Sequence, residues 1–175
     1  MFETTRCLIR QLENKDLQGV LKLYSSEEVR RYLGGTMKEE SVQKAFSERL
    51  SNQNDWVVFE KKSNDFIGMI SLDTHHNQVD LEISYQFLPN WWGQGFAKET
   101  LPVLIQFAFS DKKITRLVAE TQTANLASCR LLESLGMKEL CKLQRFGSFQ
   151  TMYSILPLFR ACNSDLTTHK EGDSN

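Results

Sequence analysis

The chain has 175 residues, 41% of them hydrophobic and 25% charged, proportions that suit one globular domain with a single core. Its 21 basic and 22 acidic residues give a formal net charge of −1, which argues against nucleic acid or an anionic membrane as a partner. No apolar run reaches the length of a membrane span and the N-terminus lacks a secretory segment, so we expect a cytoplasmic protein.

Hydrophobic patterning in the first half predicts a strand, three helices and then three further strands. The first strand alternates apolar and polar residues, and the helices carry apolar residues at helical spacing. Turn residues separate the last three strands, which predicts an antiparallel meander. The predicted bounds are 7–12 for the first strand, 17–24, 27–33 and 38–50 for the helices, and 56–60, 66–72 and 79–87 for the meander.

In the second half, a helix ends at Phe109, a strand follows at 116–120, and a helix over 125–135 ends at Gly136. Strands at 137–143 and 151–156 predict a closing hairpin. This order predicts one α/β (α+β) domain over residues 1–157, with a mixed, mostly antiparallel sheet of six to seven strands and helices on both faces. Residues 158–175 are polar, and we expect a partly disordered tail there.

The four cysteines are widely spaced and form no C-x-x-C pair, which is typical of packed free thiols. We therefore expect neither a disulfide nor a metal site from Cys7, Cys129, Cys141 and Cys162.

The segment 91–97, WWGQGFA, places two glycines between the third meander strand and the next helix. Such a turn exposes consecutive backbone amides at the positive end of the helix dipole, a geometry that binds phosphate. A plain tight turn fits the two glycines equally well. A Walker loop does not fit, because the helix begins without its Lys-Ser/Thr pair, and a dinucleotide fold does not fit, because the turn follows antiparallel strands.

A polar strip lies on the strand before this turn, where alternation places Asp80, Glu82, Ser84 and Gln86 on one face. The strip suits a substrate cleft, and it equally suits a solvated sheet face. Its two carboxylates favour a cationic substrate.

His75 and His76 open the pattern H-H-x-x-x-D, which resembles the signature of chloramphenicol acetyltransferases and condensation domains. Those proteins carry glycine after the aspartate, where this chain has Leu81, so we expect a hairpin turn instead. Contact of the two histidines with a substrate stays open. Zinc is not expected, because only Asp73 or Asp80 lies near enough in sequence to add a ligand.

Two blocks resemble the GNAT acetyltransferase family. Residues 92–97 (WGQGFA) resemble its acetyl-CoA turn, Arg/Gln-x-x-Gly-x-Gly/Ala, and residues 125–137 resemble its N-x-x-S-x-x-L-L-E-x-x-G-F helix. The segment 81–99 is similar to the RimJ/RimL-like branch, which acts on ribosomal-protein N-termini and related amines. The opening T-x-R-C-L-I-R-Q-L resembles the family's first strand, so the resemblance covers about residues 4–156.

The resemblance implies acetyl-CoA as co-substrate. The backbone of 87–89 would pair with the pantetheine arm where the fourth predicted strand splays from the fifth, and amides of 93–98 would hold the pyrophosphate. Asn125 would bond the cofactor arm, although its position also suits a helix N-cap. The residues assigned to the cofactor are Phe87, Leu88, Pro89, Trp92, Gly93, Gln94, Gly95, Phe96, Ala97, Lys98, Asn125 and Ser128.

The resemblance also implies two catalytic residues. Glu82 would be the general base, acting through water, and Ser128 would lie near the thioester sulfur. A polar residue in the first turn of a helix is the alternative for Ser128. The tyrosine that serves as acid in much of the family is replaced by Leu132.

We therefore expect an N-acetyltransferase that moves acetyl from acetyl-CoA to a primary amine in a ternary complex, without a metal. A protein N-terminal α-amine, a polyamine or other small amine, and an aminoglycoside-like antibiotic all stay open as acceptors. The protein would act as a monomer or homodimer. Because the tyrosine is missing, the alternative is a regulatory or catalytically degenerate module that binds CoA.

Overall fold

The structure is a computed structural model that describes residues 1–157, in which eight strands form one mixed sheet. The strands are β1 (Phe2–Glu3), β2 (Cys7–Gln11), β3 (Asp55–Glu60), β4 (Phe66–Thr74), β5 (Leu81–Phe87), β6 (Leu117–Gln122), β7 (Lys138–Arg145) and β8 (Ser148–Ile155). Their spatial order is β1-β2-β3-β4-β5-β6-β8-β7. Neighbours pair antiparallel except β5 and β6, which are parallel.

Helices cover both faces of the sheet. Because successive residues of a strand point to opposite faces, neighbours on one strand belong to different cores. Met69 of β4 belongs to a buried cluster with Leu23 and Phe46, and its neighbour Ile70 belongs to a second cluster with Leu104. The helices are α1 (Leu17–Ser25), α2 (Glu27–Arg30), α3 (Glu39–Asn52), α4 (Phe96–Ser110) and α5 (Leu126–Ser134). The first cluster lies under α1 and α3, and the second lies under α4 and α5.

A fork opens in the sheet between β5 and β6. These strands pair only at Leu81 with Leu117 and at Glu82 with Val118. Beyond that point β5 stays paired with β4 and β6 stays paired with β8, so the two strands separate. The predicted splay between the fourth and fifth strands is thereby confirmed at β5 and β6. We call the space between 83–87 and 119–122 the fork.

The predicted α/β architecture is confirmed, with one strand more than expected. The additional strand, β1, has two residues, too few for an alternating pattern to show. Strand β5 begins at Leu81 rather than at 79, since Val79 lies in the preceding turn and is 82% exposed. Helix α2 ends at Arg30, short of the predicted 33. The tail expected over 158–175 lies outside the described residues.

Candidate active site

The glycine turn, residues 91–95, has a backbone that its two glycines adopt without strain. The angle φ is +71° at Gly93 and +83° at Gly95, and Gly95 is the N-cap of α4. Among residues 1–157, the amides of Gly93, Gln94 and Gly95 donate to no acceptor. The amides of Phe96, Ala97 and Lys98 add to this set, since a helix leaves its first amides unpaired. Together these amides form a cradle whose geometry and dipole fit a pyrophosphate.

The end of β5 is tied to the glycine turn through Trp92. Its indole Nε1 donates to the carbonyl of Phe87 at 2.6 Å. The Leu88 amide donates to a carbonyl of β4, and Pro89 has no amide hydrogen. Because neighbouring strand residues direct their hydrogen-bonding groups to opposite sides, the amide of Phe87 faces the fork. Of the segment predicted to meet the pantetheine arm, Phe87 thus provides the available donor.

Helix α5 begins on the other side of the fork, with Asn125 as its N-cap. Its side-chain Oδ1 accepts the Ser128 amide at 3.2 Å, so the capping role is present. The Ser128 hydroxyl lies 2.8 Å from the hydroxyl of Tyr85 on β5. Burial raises the pKa of Tyr85 to about 12, so its hydroxyl stays protonated at neutral pH. Strand and helix are therefore bridged by two hydroxyls at the fork.

Glu82 lies at the closed end of the fork, on the last paired position of β5. Burial raises the pKa of Glu82; His75 opposes this shift, and the neighbouring carboxylates of Glu120 and Asp73 reinforce it. A carboxylate with a raised pKa is a stronger base once it is ionised, which suits proton abstraction near neutral pH.

A buried charged network lies beside Glu82. His75 is 2% exposed, and its Nε2 lies 3.3 Å from Glu120 Oε2, to which Arg145 Nη1 donates at 2.8 Å. The Asn77 amide donates to His75 Nδ1 at 3.3 Å, which holds the ring in place. The sequence did not single out Glu120, since its partners come from a distant turn and strand.

The predicted acidic strip is wrong at Asp80. Because β5 begins two residues later than predicted, Asp80 lies in the turn, where Arg116 donates two hydrogen bonds to its carboxylate at 2.8 and 2.7 Å. Those bonds lower the pKa of Asp80, and the guanidinium neutralises its charge. The aspartate of the H-H-x-x-x-D pattern therefore stabilises a turn, as does Asn77, which donates to it at 2.6 Å.

The remaining members of the strip lie on the face of α1 and α3, opposite to Tyr85. Glu82 and Gln86 are half-buried and Ser84 is exposed. The Oε1 atom of Gln86 is buried and accepts no hydrogen bond from the described part of the chain. Asp73 stands directly across from Glu82 on β4. On the face of α1 and α3, the fork thus presents the carboxylates of Asp73 and Glu82 and the unpaired amide oxygen of Gln86. Such a set is suited to a protonated or neutral amine.

Residues 6–138 match the family described as Acetyltransferase (GNAT) domain, which is more than half of the chain. The chain belongs to the GNAT acetyltransferase family. It is 29% identical over 157 residues to the uncharacterized N-acetyltransferase YoaA of Bacillus subtilis, an alignment that covers 83% of this chain and 87% of that protein.

Solved structures confirm the GNAT fold. A GNAT-family acetyltransferase from Bacillus anthracis superposes with a TM-score of 0.79 at 24% identity, over 88% of this chain and 96% of that one. Spermidine N-acetyltransferase from Vibrio cholerae, in complex with CoA and spermine, superposes with a TM-score of 0.76 at 17% identity, over 87% and 96% of the two chains.

This GNAT acetyltransferase has no tyrosine at the α5 position where much of the family carries one. Leu132 occupies it and is 1% exposed in the core. Tyr85 has no predicted role, because strand alternation places it on the face opposite to the polar strip, although a buried phenol hydroxyl needs a partner. That requirement was the available signal for its bond to Ser128.

Residues 1–157 contain neither a bilayer-length apolar helix nor a cluster of metal-ligating side chains. No helix there is both long and apolar enough to span a bilayer. No group of three or more His, Cys, Asp and Glu side chains is placed to hold a metal ion.

Proposed function

We propose that the protein transfers the acetyl group of acetyl-CoA directly to a primary amine, with donor and acceptor meeting in the fork. The observation that carries this proposal is the arrangement around the fork: an anion cradle and Ser128 on the side of α4 and α5, and Glu82 with Gln86 on the other side. Direct transfer needs such an opening, because the amine and the thioester must be held together at one carbonyl carbon.

In the proposed reaction, the amine nitrogen forms a bond to the acetyl carbon while the carbon–sulfur bond breaks. Glu82 takes a proton from the ammonium group, through water, and the thiolate leaves and is protonated to give CoA. The amide of Phe87 is placed to polarise the thioester carbonyl, and the Ser128 hydroxyl to donate to the sulfur. A serine hydroxyl is a weak acid, so we assign it hydrogen bonding rather than full proton transfer.

For the acceptor we propose a cationic amine, either a small amine or the α-amine of a protein N-terminus. Glu82 and Asp73 face each other across β5 and β4, and Asp73 has only a 3.9 Å contact with Arg49. Two carboxylates at the acceptor side attract a positively charged molecule. The V. cholerae relative is named a spermidine acetyltransferase, which supports a small polyamine as one candidate. Ribosomal-protein N-termini, the substrates of the RimJ/RimL-like branch, are the other.

Free thiols support a cytoplasmic location for this activity. Within residues 1–157, Cys7 and Cys129 are buried free thiols and Cys141 is an exposed free thiol. An exposed free thiol suits a reducing compartment. We propose that the protein acts there as a monomer or homodimer.

The first test is thermal unfolding with acetyl-CoA, followed by thiol release in the presence of amines. Ligand at about 100 times its Kd adds about 2.7 kcal/mol of stability, which raises Tm by roughly 5–10 °C for a domain of this size. Spermidine, a peptide with a free N-terminus and an aminoglycoside should then be compared as acceptors. Absence of stabilisation would refute the proposal, and stabilisation without thiol release from any amine would indicate a CoA-binding module.

A further inference from the structure

Arg6 lies between β1 and β2 and contacts three parts of the glycine turn and α4. Its Nε donates to Glu99 Oε2 at 2.6 Å, and its Nη1 donates to the carbonyl of Gln94 at 2.9 Å. The guanidinium carbon lies 4.2 Å from the centroid of the Phe96 ring. The first segment of the chain is thus attached to the turn in the middle of the sequence.

Glu99 is itself held in place, so Arg6 is anchored on a fixed partner. Its Oε1 accepts from the Thr4 hydroxyl at 2.6 Å and from the Arg6 amide at 2.8 Å. Burial opposes ionisation of Glu99, but these hydrogen bonds outweigh it and lower the pKa of that carboxyl. Because Glu99 neutralises much of the charge of Arg6, attraction of an anion is the smaller part of what this arginine does.

The bond to Gln94 fixes the direction of the next amide. In a trans peptide the carbonyl of Gln94 and the amide hydrogen of Gly95 lie in one rigid plane and point in opposite directions. Since Arg6 holds the carbonyl on one side, the Gly95 amide must point away from it, outward into the cradle. A Cβ at Gly95 would lie 3.4 Å from Arg6 Nη2, so the guanidinium packs closely against this residue.

We propose that Arg6 is a positioning residue for the pyrophosphate of the donor, acting by turning the Gly95 amide into the cradle. This inference rests on the proposed function, because it requires acetyl-CoA as the donor. Arg6 need not touch the phosphate; it acts through the peptide plane of Gln94.

Arg10 offers a matched control. Its guanidinium donates two hydrogen bonds to the Asp16 carboxylate, at 2.7 and 2.8 Å, where that of Arg6 donates one to Glu99, and the Arg10 guanidinium carbon lies 4.8 Å from the Phe59 ring centroid. It differs from Arg6 in having no contact with the glycine turn. Loss of either arginine removes a similar ion pair and a similar stacking contact, and only Arg6→Ala frees the Gln94 peptide.

The experiment compares Arg6→Ala, Arg6→Lys and Arg10→Ala with two donors, acetyl-CoA and acetyl-pantetheine, which lacks the pyrophosphate. We expect Arg6→Ala to raise KM for acetyl-CoA about tenfold, the usual cost of losing a hydrogen bond from a charged group. Its kcat and its kinetics with acetyl-pantetheine should match wild type. Arg6→Lys has one ammonium group and cannot hold Glu99 and Gln94 as the guanidinium does, so it should keep Tm and still raise KM. Arg10→Ala should lower Tm alone.

Three results would overturn the inference while leaving the proposed function intact. They are an unchanged KM for acetyl-CoA in both Arg6 variants, an equal rise of KM in Arg10→Ala, and an equal loss of activity by Arg6→Ala with acetyl-pantetheine. Failure of the wild-type protein to bind CoA would overturn the proposed function, and the inference with it. Because wild type is measured first, the two failures are distinguishable.

Discussion

Replacement of Glu82 by glutamine tests the assignment of the base most directly. Glutamine keeps the size of the side chain and an oxygen that can accept a hydrogen bond, but it cannot take a proton. A positioned general base contributes about 10²- to 10⁴-fold to the rate, or roughly 3–5.5 kcal/mol. Because burial raises the pKa of Glu82 towards the working pH, we expect a loss in the upper part of that range near neutral pH.

The pH dependence of kcat/KM tests whether Glu82 acts as a base. Wild-type activity should fall as the pH drops through the raised pKa of Glu82, because the protonated carboxyl cannot act as a base. The deficit of Glu82→Gln should shrink as the pH rises towards the amine's own pKa, about 8 for a protein N-terminus and about 10 for an alkyl amine. Above that pH the amine is neutral without help. Thiol release at saturating acetyl-CoA, from about pH 6 to about pH 10, measures both curves.

Asp73→Asn is the matched control, since it makes the same kind of change directly across from Glu82. The charge of Asp73 raises the pKa of Glu82, so its removal should move the acid limb to lower pH; the plateau of kcat should stay in place, while the acceptor KM rises because one of the two carboxylates is lost. A loss in Glu82→Gln that is as large at high pH as at neutral pH would refute the role as base. A limb that moves to higher pH in Asp73→Asn would refute the electrostatic reasoning.

Substitutions in the glycine turn, at the hydroxyl pair of Tyr85 and Ser128, and at Asp80 test other parts of the molecule. Gly95→Ala and Gly93→Ala each force a left-handed φ on a residue with a Cβ, at about 1–2 kcal/mol, so each should lower Tm by several degrees; an unchanged Tm contradicts this. Tyr85→Phe removes a 2.8 Å hydrogen bond and should lower kcat about threefold to tenfold; combination with Ser128→Ala should add little, whereas additive losses would show that the hydroxyls act independently. Asp80→Asn should reduce the free energy of unfolding by about 1–3 kcal/mol. Because the pKa of Asp80 is lowered by folding, this contribution is present above about pH 4 and is lost in stronger acid, so urea midpoints of wild type and variant should converge there.

Local features of the molecule were predictable from the sequence. The glycine turn was predictable, because glycine is the residue type that adopts without strain the positive φ found at Gly93 and Gly95. The limits of α5 were also predictable, because Asn125 and Gly136 are the residue types that begin and end helices.

Features that depend on distant partners were not predictable in this way. Asp80 was predicted to belong to the acidic strip because its partner Arg116 lies 36 residues away, and Tyr85 had no predicted role because its partner Ser128 lies 43 residues away. The attachment of Arg6 to Glu99 spans 93 residues. The alternation of apolar and polar residues and the helix or strand propensity of each residue depend on neighbours along the chain. These contacts, in contrast, are set by the order of strands in the sheet. The two-residue shift in the start of β5 had the same origin in part, because the turn that contains Asp80 is held by the distant Arg116 as well as by the neighbouring Asn77.

The fork also constrains how this sheet can change. Only two residue pairs join β5 to β6, so the ladder is interrupted at its centre, where most sheets are continuous. A substitution that let the Glu82 and Val118 pairing extend by one or two residues would add main-chain hydrogen bonds and stabilise the domain, and it would close the opening between the strands. Selection for stability and selection for an open fork therefore act in opposite directions at the same few backbone groups. This sparsely paired junction keeps the fork open, and thermostable variants should be sought away from residues 83–87 and 119–122.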